Sequence, residues 1–112
     1  MDCSIDFVMV LITTGSEEEA DSIARQLVVH RMAACVNSVN EVRSLFWWQG
    51  KTDSAHETLL FVKTRASLLS RLIETVKKAH SYSVPEIIAM PIIGGNPDYL
   101  NWLAKETEEQ KP

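Results

Sequence analysis

Apolar and polar positions change period along this chain, and each change marks an element. Residues 5–13 are almost continuously apolar and β-branched, the pattern of a strand buried on both faces. Ser16-Glu17-Glu18-Glu19 follows, where Ser16 predicts an N-cap, Glu19 the reciprocal half of a capping box, and the acidic run suits the positive end of a helix. Ala20, Ile23, Ala24, Leu27 and Val28 then recur on one helical stripe. His30 and Arg31 stand where cations favour a helix C-terminus, so this helix is expected to close near Met32.

Ala34 to Trp48 predicts a long, bent strand interrupted around Asn37 to Glu41. Gln49-Gly50-Lys51 reads as a hairpin tip with Gly50 at positive φ, and the return strand is expected from about Glu57 to Lys63. Leu68, Leu69, Leu72, Ile73 and Val76 make a second helical stripe, closed by Lys77, Lys78 and His80. Pro85 opens a last strand through Ile93; after Gly94-Gly95, Asn96 caps a third helix with Pro97 in its first turn and Tyr99, Trp102 and Leu103 on its apolar face. The order predicts one α+β domain over residues 1–112, a ferredoxin-like βαββαβ sandwich with a long β-hairpin and an extra C-terminal helix. Two helices cover one sheet face, which leaves the other face and the hairpin to be hidden by assembly.

The hairpin carries the chain's densest aromatic run, Phe46, Trp47 and Trp48. Burying one such ring removes about 150 to 250 Å² from water, on the order of several kcal/mol, so an uncovered ribbon would be costly. Trp47 and Trp48 alternate across the strand, so one is expected to face the chain's own core and the other a neighbour. Another copy of this chain is the simplest cover.

Composition narrows the field. The chain has 112 residues, 46% hydrophobic and 23% charged, as ordinary globular proteins do. Net charge is −4 and the 11 Lys and Arg are scattered, which argues against a nucleic-acid partner. The longest apolar runs, such as Phe7 to Ile12, are too short to cross a bilayer, and the N-terminus lacks the order of a signal peptide, so a cytoplasmic location without membrane contact is expected. Cys3, in a terminus expected to fray, and Cys35, in an apolar strand, do not suggest a disulfide framework; Glu106 to Pro112 is polar enough to fray as well.

Candidate chemistry is sparse. Cys35 lies in Ala-Ala-Cys-Val, where a thiol behaves as a small hydrophobe more often than as a ligand or redox switch. His30, His56 and His80 fall on separate elements without metal-ligand spacing; helix capping is the preferred role of His30 and His80. Gly94-Gly95-Asn96 reads as a turn before an anion cradle. No Ser or Cys nucleophile has a recognisable His base and acid, so an enzyme is not expected. Glu57, Lys63, Tyr82 and Glu86 stand at strand ends or before the last strand, placed either to line a cleft between subunits or to form a structural polar set.

Five ordered motifs, Arg31-Met-Ala-Ala-Cys-Val-Asn37, Ser44-Leu-Phe-Trp-Trp-Gln-Gly-Lys51, Lys63-Thr64, His80-Ser-Tyr-Ser-Val-Pro-Glu86 and Tyr99-Leu-Asn-Trp-Leu103, resemble the CutA family of divalent cation tolerance proteins over about residues 6 to 104. The resemblance implies a homotrimer whose long hairpins pair across neighbours with Phe46, Trp47 and Trp48 at the interface. It also implies a non-catalytic role in the response to divalent metal ions, with no required cofactor and Cu(II) binding in some members. A bacterial member's proposed copper ligands are a Cys at the end of the first strand and two consecutive His; here Ile12 and Ala79 take two of those places and His80 alone remains. One imidazole implies weak copper binding. Ser81 and Asn40 replace prolines usual in the family, which loosens both segments. The alternative is a small-molecule sensor resembling trimeric PII-type signalling proteins, its ligand held in an inter-subunit pocket of Cys35, Trp48, Glu57, Lys63, Tyr82 and Glu86.

Overall fold

A computed structural model describes residues 5–108; Cys3 and the expected frayed end beyond residue 108 lie outside them. β1 (Phe7–Thr14) is the central strand by its apolar run, and Ser16 caps α1 (Glu17–Val29) by accepting the Glu19 N–H. The long strand β2 (Cys35–Trp48) turns into β3 (Lys51–Arg65) through Gln49 and Gly50. Both have positive φ, 51° and 80°, as a two-residue turn matched to strand twist requires. The return strand therefore begins at Lys51 and not near Glu57, because that turn zips Trp48 directly onto Lys51. A short 3-10 turn (Ala66–Leu68) leads into α2 (Leu69–Ala79). β4 is shorter than expected, Ile87–Pro91, because it pairs only with β1 between Val8 and Ile12. α3 (Pro97–Glu106) starts at the Asn96 cap, whose side chain accepts the Asp98 N–H.

The sheet order is β2-β3-β1-β4, antiparallel throughout, with α1 and α2 on one face: the ferredoxin-like arrangement. Alternation along β1 and β3 sends Val8, Val10, Ile12, Leu60 and Val62 against Ala20, Ile23 and Leu27 of α1 and Leu72 and Val76 of α2, all essentially inaccessible to water. The expected interruption of β2 falls between Val39 and Val42, where register shifts and Glu41 takes φ 59°. Beyond it the hairpin leaves the sheet: β1 accompanies β3 only from Thr58 to Arg65, so Arg43–Trp48 and Lys51–His56 pair with each other alone.

Four further expectations change. Glu19 does not close the capping box on Ser16; its carboxylate accepts from the backbone N–H and hydroxyl of Ser81. Neither Trp47 nor Trp48 faces the chain's own core, because the ribbon lies past its edge; they are 75% and 45% exposed. On α3 only Leu103 is buried; Tyr99 and Trp102 pack on each other and stay 41% exposed. The chain does not fray at Glu106, since Arg31 donates to that carboxylate and backbone carbonyl, while Arg65 holds Ala104 O and Thr107 Oγ1.

Candidate functional site

Polar side chains converge where β1 ends, at the 80–86 segment and the base of the hairpin. His80 is the centre of that junction. Its side chain is fully buried; Nδ1 accepts the Tyr82 N–H at 3.0 Å, so Nε2 carries the proton and donates to the Thr13 carbonyl at 2.7 Å. His80 takes the C-cap position of α2, as expected of a residue that closes this helix, and its ring turns inward from there and ties α2 to β1. Glu19 Oε1 lies 3.6 Å from Nδ1, behind the same turn.

The Tyr82 ring stacks at a tilt on His80, 4.7 Å between centroids, and its hydroxyl donates to Glu57 Oε2 at 2.9 Å. Burial first, then the Glu57 carboxylate as acceptor and charge, then Glu19, push the Tyr82 phenol up to about 12. Gly15 permits this approach, since a Cβ there would stand 3.1 Å from the Tyr82 hydroxyl.

Above this junction opens a cleft of about 660 Å³, lined by Thr13, Ser44, Leu45, Phe46, Trp48, Asp53, Glu57, Tyr82, Ser83, Val84 and Glu86. Trp48, Glu57, Tyr82 and Glu86 line it together within one chain. Cys35 and Lys63 do not join them within one chain. They pair with each other in register, six residues along β3 from Glu57, about 20 Å at the strand rise. There Lys63 Nζ donates to Asn37 Oδ1, which also faces the Cys35 thiol; burial, then Cys35, raises the Tyr99 phenol above its ordinary value. Of the ribbon, Phe46 and Trp48 line the cleft, while Trp47 points to the hairpin's other side.

Asp53 is the one charged lining residue absent from the sequence candidates. The signal was there: Asp53 and Glu57 share a strand face by period two, and register sets Phe46 opposite Asp53. A resident copper ion finds no fit. Both His80 nitrogens are hydrogen-bonded, and among the described residues no three His, Cys, Asp or Glu side chains are grouped to hold a metal.

The profile of the CutA1 divalent ion tolerance protein family matches residues 8–106. The divalent-cation tolerance protein CutA of Thermus thermophilus is 50% identical over 99 residues, covering 88% of this chain and 96% of that protein. A chloroplastic protein CutA 1 of Oryza sativa is 43% identical over 106 residues, 95% of this chain but 60% of that protein, so the chain spans about three-fifths of the rice relative. The crystal structure of rice CutA1 superposes with TM-score 0.91 at 42% identity, over 97% of this chain and 100% of that one. A periplasmic CutA of Archaeoglobus fulgidus gives TM-score 0.89 at 39% identity, over 91% of this chain and 99% of that one. Relatives thus carry chloroplastic and periplasmic names, and family does not fix a compartment; no helix among the described residues is long and apolar enough to cross a membrane. Profile, identity and superposition agree over nearly the whole domain, and the chain belongs to the CutA1 divalent ion tolerance protein family.

Proposed function

We propose that this chain works as a non-enzymatic homotrimer in tolerance of divalent metal ions, the role its Thermus relative's name states. One observation carries the assembly: within a single chain, Leu45 is 80% exposed, Trp47 75%, Trp48 45% and Ile88 on the open sheet face 52%. Large apolar side chains left open on both sides of the hairpin and on the sheet face are what a protein interface covers. Sister chains approaching the hairpin and the open face would cover these side chains and wall the cleft from outside. Light scattering coupled to size exclusion tests this: three chain masses are expected, and a stable monomer of 12.6 kDa overturns it.

Copper contact in this reading is weak, because an ion at His80 must displace either the Tyr82 N–H or the Thr13 carbonyl. Calorimetric titration with Cu(II) should give less heat with His80→Ala; equal binding removes the residue from the metal role. The free thiol of Cys35 supports a reducing compartment, the cytoplasm in our reading.

A second reading is favoured by the cleft itself, whose volume and mixed aromatic and acidic lining suit a small organic ligand. In that case the protein is a sensor, and one ligand should raise thermal stability in proportion to RT ln(1 + [L]/Kd).

A further inference from the structure

We infer that the cleft between the hairpin base and the 82–86 segment binds an aliphatic amine carrying two or more ammonium groups. Glu57 is the observation that points there. It is 8% exposed, its Oε2 takes the neutral Tyr82 hydroxyl, and among the described residues it makes no ion pair within 4 Å. A buried carboxylate answered only by a neutral donor leaves negative potential directed into the cavity it faces. Asp53, on the same strand face, and Glu86 add two more carboxylates to the lining, and no Lys or Arg is among its residues.

The shape of that charge selects the ligand. The three carboxylates line one cleft yet do not converge: among the described residues no group of three such donors could hold a metal ion. Dispersed negative charge across about 660 Å³ matches a cation whose charges are dispersed too, and a flexible polyamine spreads ammonium groups along a methylene chain. Phe46 stands opposite Asp53, and Trp48 lies one alternation further along β2 on the same face. Their ring faces attract ammonium groups and pack against the methylenes between them. Nucleotides and other polyanions are disfavoured by the same field. The inference rests on the proposed assembly only for the outer wall, since one chain supplies every lining residue named.

Spermidine titrated into the full chain at low ionic strength, followed by calorimetry and by indole emission, tests it. We expect saturable binding at one site per chain, weakened about tenfold by Glu86→Gln and by Asp53→Asn, both at exposed positions, and unchanged by Glu17→Gln on the far helix. Mg²⁺ at matched charge should not displace the amine. Absence of saturation, equal weakening by Glu17→Gln, or displacement by Mg²⁺ overturns the inference. Light scattering on the same samples keeps the two proposals apart. A monomer that binds spermidine supports this site and overturns the trimer, while a trimer that fails to bind overturns this site alone.

Discussion

The junction at the end of β1 closes on its own side chains, whereas the tip of the hairpin leaves its side chains open. At the junction, His80, Tyr82, Glu57, Glu19 and Ser81 close on one another, each named contact supplied from the same chain. Towards the tip, Leu45 and Trp47 stand on a two-stranded ribbon and remain 80% and 75% exposed. A two-stranded ribbon without a third layer is marginal in water. The contrast shows a chain that completes its core on the helix face and leaves large apolar side chains of its hairpin exposed, the surface on which the proposed trimer rests.

Replacing Trp47 with Glu attacks that division most directly. Light scattering should then fall from three chain masses toward one of 12.6 kDa, and an unchanged mass would mean that the tip stands free. Next in size is a matched pair of leucines. Leu60→Ala, at a site with no exposure, should cost about 2 to 5 kcal/mol in denaturant unfolding. Leu45→Ala should cost within about 0.5 kcal/mol in an isolated chain and distinctly more in an assembled one, so its dependence on protein concentration reports whether a neighbour covers it.

Smaller effects probe the junction. Tyr82→Phe removes a hydroxyl bonded to a carboxylate and should cost about 1 to 2 kcal/mol, with the fold retained. Alkaline pH follows the same contact. Because the phenol rises from 10.0 to about 12 on folding, the folded chain holds its proton where the unfolded chain has lost it. Stability should therefore be flat below pH 10 and fall as pH rises through about 12; Tyr82→Phe should flatten that fall, leaving the contribution of Tyr99, whose shift has the same direction. Equal slopes in both proteins would detach Tyr82 from the junction.

Much of the fold could be read from short-range signals. Ser16 and Asn96 cap their helices because a side-chain oxygen needs only an N–H two or three residues away. Gly50 turns the hairpin through its own φ, and the break near Glu41 shows as a run of polar residues in an otherwise apolar strand. The candidate site was legible in part. Within one chain Trp48, Glu57, Tyr82 and Glu86 line one cleft together with Asp53, while Cys35 and Lys63 lie six residues along β3 from Glu57, so their place in a pocket between subunits depends on the assembly.

By itself, then, the sequence determined the order of elements, their caps and turns, and which strand faces are apolar, because each depends on neighbours a few residues away. Tertiary structure alone decided the rest. Tyr82 reaches Glu57 across 25 residues and His80 reaches Thr13 across 67, contacts set by the register of β3 on β1 and by how α2 returns to the sheet. Glu19 illustrates the difference: local chemistry assigns it to its own cap, and the packed chain gives its carboxylate to Ser81 because the 80–86 segment arrives within reach.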